Sequence, residues 1–185
     1  NRKKIETYAV NKSMEERINA FILKNLQDGR QAYVVCPLVE ENEEMNLKSV
    51  TALAEKYKNE VFKDYRVEYL HGKMKNKEKD EIMERFKNGD IDILISTTVI
   101  EVGVNVPNAS LMVVENAERF GLAQLHQLRG RVGRGEYQSY CILKYQGNSD
   151  VIRKRMKVMT DTNDGFIISE KDLELRGSGE FFGTR

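Results

Sequence analysis

Ile91-Asp92-Ile93-Leu94-Ile95 opens onto Ser96-Thr97-Thr98, and within the same stretch Leu111-Met112-Val113-Val114 leads on to Gln127-Leu128-Arg129-Gly130-Arg131-Val132-Gly133-Arg134. Each apolar run is short and rich in β-branched or aliphatic residues, and the first delivers hydroxyls at its carboxyl end. That pattern reads as buried parallel strands, whose carboxyl ends are where open α/β sheets bind ligands. If Leu122 to Arg134 is helical, Leu125, Leu128 and Val132 share one face while Gln124, Gln127, Arg131 and Arg134 line another. Two guanidiniums and two amides then project together. Such a set suits phosphate oxygens, which accept bidentate charge-assisted hydrogen bonds from arginine; a solvated basic helix face is the other reading. Gly130 and Gly133 favour phosphate, because glycine inside an exposed helix costs about 1 kcal/mol and marks a close approach of backbone or ligand.

Working outward, strands and helices alternate. Lys4 to Val10 alternates as a strand near the terminus; Ser13-x-x-Glu16 forms a capping box for a helix that ends at Gly29; Ala32 to Val39 is a strand. Glu40 to Glu44 is expected to be a solvated acidic loop, followed by a helix from about Leu47 to Phe62. Arg66 to Leu70 is a short strand before His71-Gly72-Lys73, Asn76 to Lys87 is a helix, and Gln138 to Lys144 is a further strand. Strands separated by helices of this length predict a parallel sheet over residues 1–146. Residues 147–185 change character, with Asp150 to Met159 and Phe166 to Leu175 forming two helices too short to bury a core of their own. They are expected to dock as a helical hairpin.

Composition narrows the function classes. Of 185 residues, 40% are hydrophobic and 32% charged, and 30 basic residues against 29 acidic ones give a formal charge of +1. Any nucleic-acid contact therefore rests on local patches and not on net charge. Cys36 and Cys141 lie in apolar runs, away from any C-x-x-C pair, and read as reduced core thiols of a cytoplasmic protein. With two histidines, His71 and His126, there is neither a metal cluster nor a catalytic triad to assemble, and no signal or transmembrane run is apparent. No G-x-x-x-x-G-K-[ST] occurs, so a phosphate cradle must come from elsewhere.

Gln127-x-x-Gly130-Arg131-x-Gly133-Arg134 resembles the last motif of superfamily-two helicases, and Ser96 to Pro107 resembles the motif before it. Glu115-Asn116-Ala117-Glu118-Arg119-Phe120-Gly121-Leu122 and the ending Asp172-Leu173-x-Leu175-Arg176-Gly177-x-Gly179-Glu180-x-x-Gly183-Thr184-Arg185 narrow this. Together they resemble the RecG family, bacterial ATP-dependent DNA helicases that remodel branched DNA in recombination and repair; the transcription-repair coupling translocases share the final segment. The resemblance implies an α/β fold, the second of two RecA-like (P-loop NTPase-type) halves of a motor, with the hairpin and the start of a translocation loop. It implies that Arg131 and Arg134 are catalytic fingers at the γ-phosphate of ATP bound against a first motor domain, which would also hold Mg2+. Gln127, Gly103 and Asn105 would lie at the nucleotide, with Asn105 standing where the family usually has aspartate. Thr97, Thr98 and His71 would face DNA, Arg176 and Arg185 would couple hydrolysis to DNA movement, and the partners would be branched DNA and the first motor and wedge domains of a parent chain. A helicase-like module that only grips nucleic acid is the alternative, against which the paired arginines speak.

Overall fold

The computed structural model describes residues 4–40, 42–97, 106–133 and 135–176. Thr98, Gly103, Asn105, Arg134 and Arg185 lie outside the described residues. Six strands, β1 (Glu6–Asn11), β2 (Gln31–Val35), β3 (Val67–Leu70), β4 (Ile93–Ser96), β5 (Ala109–Val114) and β6 (Tyr140–Tyr145), form one sheet in the order β1-β6-β5-β2-β4-β3. Every pairing is parallel. Alternate residues of each strand enter opposite cores, as the period of two requires. Ala32, Val34, Ile93, Ile95 and Val113 pack under α1 (Glu15–Gln27) and α2 (Glu43–Lys56). Tyr33, Val35, Leu94, Met112 and Val114 pack under α3 (Asn76–Lys87), α4 (Leu122–Arg129), α5 (Asp150–Asp161) and α6 (Gly165–Leu175). With both faces covered, the central strands read as unbroken apolar runs.

The terminal helices share this second core, to which α5 gives Met156 and Met159 and α6 gives Ile168. No helix among the described residues is long and apolar enough to cross a membrane.

Several boundaries differ from the sequence pattern, each for a local reason. The cap before α1 is Asn11 and not Ser13: its side chain accepts from the Ser13 N–H at 3.0 Å, and a 3-10 turn leads into the helix at Glu15. β2 stops at Val35 because the buried Asn46 side chain takes both backbone groups of Val39, accepting at 2.8 Å and donating at 2.9 Å. The acidic run is not wholly a loop. Asn42 caps α2 by accepting from the Met45 N–H at 3.1 Å, and Glu43 and Glu44 occupy the first turn, where carboxylates favour the helix dipole. α4 ends at Arg129 with Gly130 as its cap, five residues short of the expected Arg134. Gly133 explains the early stop: its φ is +87°, and a Cβ there would lie 2.8 Å from Ile5 Cγ1.

Candidate functional site

Two connections built by the motif residues meet at one point. The segment after β4 runs from the carboxyl end of that strand to the amino end of β5, and the turn after α4 enters the amino end of β6. They touch where Gly135 passes Pro107: a Cβ on Gly135 would sit 2.8 Å from the Pro107 carbonyl oxygen, so glycine is what permits the approach. The turn after α4 and the stretch entering β5 are thereby held side by side.

Arg131 stands in the turn after α4, half-buried, its backbone N–H donating to the Leu128 carbonyl at 3.0 Å. Its guanidinium has no hydrogen-bond or ion-pair partner among the described residues. Gln127 is exposed on the last turn of α4, whereas the Gln124 side chain turns back to accept from the Gly121 N–H at 2.9 Å. The expectation of four polar side chains on one helical face therefore does not hold. Arg131 leaves the helix and Gln124 serves its cap.

The turn rests on a buried guanidinium. Arg129, only 2% exposed, donates to the Met159 carbonyl at 2.6 Å and to Thr7 Oγ1 at 3.2 Å, and its other nitrogen lies 3.3 Å from His126 Nδ1. Burial draws the Arg129 pKa below its ordinary value, with Cys141 pulling the other way. This one side chain joins the end of α4 to α5 and β1. Arg155 adds a second tie, donating to the carbonyls of Glu118, at 3.0 Å, and of Phe120.

Residues 13–136 match the family model described as the helicase conserved C-terminal domain. The chain belongs to that family. It is 52% identical over 184 residues to the ATP-dependent DNA helicase RecG of Bacillus subtilis and 50% identical over 184 residues to that of Streptococcus pneumoniae. In both cases the whole chain is covered but only 27% of the relative, so the chain spans about a quarter of the length of these curated relatives. Among solved structures, RecG bound to a three-way DNA junction matches with a TM-score of 0.80 at 43% identity, over 97% of this chain and 23% of that one. The second domain of the DEAD-box helicase Mss116p bound to an RNA duplex shares the fold, with a TM-score of 0.62 at 18% identity, over 93% of this chain and 69% of that one.

In this helicase C-terminal domain the remaining expected site residues are dispersed. Thr97 is buried at the carboxyl end of β4, at the opposite end of the sheet from Arg131. His71 is buried after β3, and its Nδ1 accepts from the Lys73 N–H at 3.2 Å, so the ring braces its own turn. Arg176 pairs with Asp172 at 3.1 Å along α6, an exposed pair of the i, i+4 kind. No group of three or more His, Cys, Asp or Glu that could hold a metal gathers among the described residues.

A buried ion cluster had no counterpart in the sequence reading. The Lys144 ammonium, 1% exposed, lies 2.6 Å from Glu115 and 2.9 Å from Glu15. Burial alone would lower the Lys144 pKa, but the two carboxylates outweigh it and raise it. Cys36 and Cys141 are free and buried, and burial pushes both thiols up to about 12.

Proposed function

We propose that the chain is the second motor domain of an ATP-dependent DNA helicase that unwinds and remodels branched DNA, and that Arg131 and Arg134 act on ATP held mainly by a first motor domain. The observation that carries this is the contact of Gly135 with Pro107, which brings the turn after Arg131 against the stretch entering β5. A half-buried guanidinium with no partner among the described residues fits a phosphate, since leaving it unpaired in a closed interface would cost desolvation. Bound ATP would supply the γ-phosphoryl group, and Mg2+ the charge that neutralises its oxygens.

In this reading Arg131 and Arg134 donate to phosphoryl oxygens that gain charge as the bond breaks, and Gln127 is a positioning donor at the nucleotide. Gly103 and Asn105 lie at the nucleotide, and an amide at Asn105 still hydrogen-bonds a ribose hydroxyl without carrying charge. Thr97, Thr98 and His71 belong to the DNA side. The likeness to RecG bound to a three-way junction supports branched DNA as the substrate.

In the full-length helicase, Arg131→Ala or Arg134→Ala should lower DNA-stimulated ATP hydrolysis by roughly 10³-fold or more while changing DNA affinity little. Normal turnover with a large loss of DNA affinity would reassign both residues to DNA binding.

A further inference from the structure

The connections leaving the neighbouring strands β2 and β5 part to opposite faces, the first to α2 and the second to α4. Parting crossovers open a crevice at the carboxyl ends of the strands. Here the crevice is a cleft of about 320 Å3, at the small end of ligand cavities. Pro37, Val39, Met45, Ala52 and Leu53 give it apolar walls, Met45 being 54% exposed. Asn116 borders it with a φ of 49°, the one positive value at a non-glycine among the described residues. A strained backbone beside a cleft is where a ligand site is worth seeking.

The charges point to the ligand's sign. Glu115 lies in the lining but is matched by Lys144 at 2.6 Å. Lys56 and Arg119 also line the cleft, and neither has an ion-pair partner among the described residues. We propose that this cleft binds a small amphiphilic anion, an apolar group bearing a phosphate or carboxylate. The apolar part rests on Val39, Met45 and Leu53, and the anionic part meets Lys56 and Arg119. A nucleic-acid strand fits less well, because Glu44 in the first turn of α2, next to Met45, repels a chain of phosphates, Glu43 being matched by Lys73 at 2.8 Å. The cleft lies at the carboxyl end of the sheet and the Arg131 turn at the amino end, so failure of the test below leaves the ATP role proposed for Arg131 standing.

Phenyl phosphate is the probe, with phenol and inorganic phosphate as its halves, titrated into the isotopically labelled 185-residue chain and followed by amide NMR. Phenyl phosphate should shift the amides of Met45, Ser49, Ala52, Lys56 and Arg119 saturably, at least about tenfold more tightly than either half. Lys56→Gln with Arg119→Gln should weaken binding by about tenfold or more, and Ala52→Trp, at an exposed position, should abolish it with the remaining spectrum intact. Absence of saturation by about 10 mM, equal affinity for phenol, or full binding to Ala52→Trp would overturn the proposal. So would tighter binding at these amides by a short DNA strand or an acidic peptide, which would make the cleft a contact for that macromolecule.

Discussion

Replacing Lys144 with methionine tests how the carboxyl end of the sheet is held. The ammonium is 1% exposed and satisfies Glu115, whose side chain is 10% exposed, and Glu15, at 27%. Methionine keeps the apolar stem and removes the charge, leaving Glu115 buried without compensation. Breaking a buried pair in this way costs about 3 to 5 kcal/mol, and the more exposed Glu15 adds under about 1 kcal/mol. For a chain of 185 residues, about 3 kcal/mol lowers Tm by roughly 6 to 12 °C. Urea denaturation followed by circular dichroism measures the loss, and Lys144→Met with Glu115→Gln should recover most of it, because the stranded charge is then gone. A single-variant loss below about 1 kcal/mol, or a double variant no better than the single, would refute the claim that an uncompensated carboxylate dominates.

Acid sensitivity should trace in part to His126. Burial first and Arg129 next hold its imidazole below the ordinary value, against Asp164, which pulls it up. The unfolded chain therefore binds the proton first, so the stability from neutral His126 is whole above a pH of about 6.5 and drains as pH falls toward the folded value. Between about pH 8 and pH 5 the Tm of the wild type should fall further than that of His126→Gln, and equal falls would contradict the assignment. At the chain's end, Arg176→Ala should cost under about 0.5 kcal/mol, since its pair with Asp172 is solvent-exposed. In the full-length helicase, Arg185→Ala should leave ATP hydrolysis largely intact while abolishing fork unwinding; normal unwinding per ATP consumed would remove Arg185 from the coupling path.

The strands were legible because burial on both faces leaves an unmistakable mark on Val34-Val35, Ile93 to Ile95 and Leu111 to Val114. α3 spans Asn76 to Lys87 as expected, with Ile82, Met83 and Phe86 buried at helical spacing. The end of α4 was not, because Val132 continues the apolar period past the point where Gly130 and Gly133 stop the helix. Arg129 escaped notice for a related reason: it follows Leu122 and Leu125 at i+7 and i+4, on the inward face, but an arginine in a basic run reads as surface. Leu122-Leu125-Arg129 is the signal that could have found it. Nothing local marks Lys144, whose partner Glu15 is 129 positions away in sequence, or the approach of Gly135 to Pro107. Those contacts exist only once the sheet is closed. The polar residues of the candidate site stood out as a motif, whereas the arrangement of the described ones did not.

The central claim is that Arg131 serves ATP chemistry more than ATP binding, and equilibrium affinities separate the two directly. The measurement compares the full-length helicase with its Arg131→Ala variant, each titrated with ADP-Mg2+ and with ADP-Mg2+-aluminium fluoride, a mimic of the transferring phosphoryl group. The account predicts that the variant binds ADP-Mg2+ within severalfold of the wild type but binds the mimic roughly 10³-fold more weakly. Equal, small losses for both ligands would contradict it.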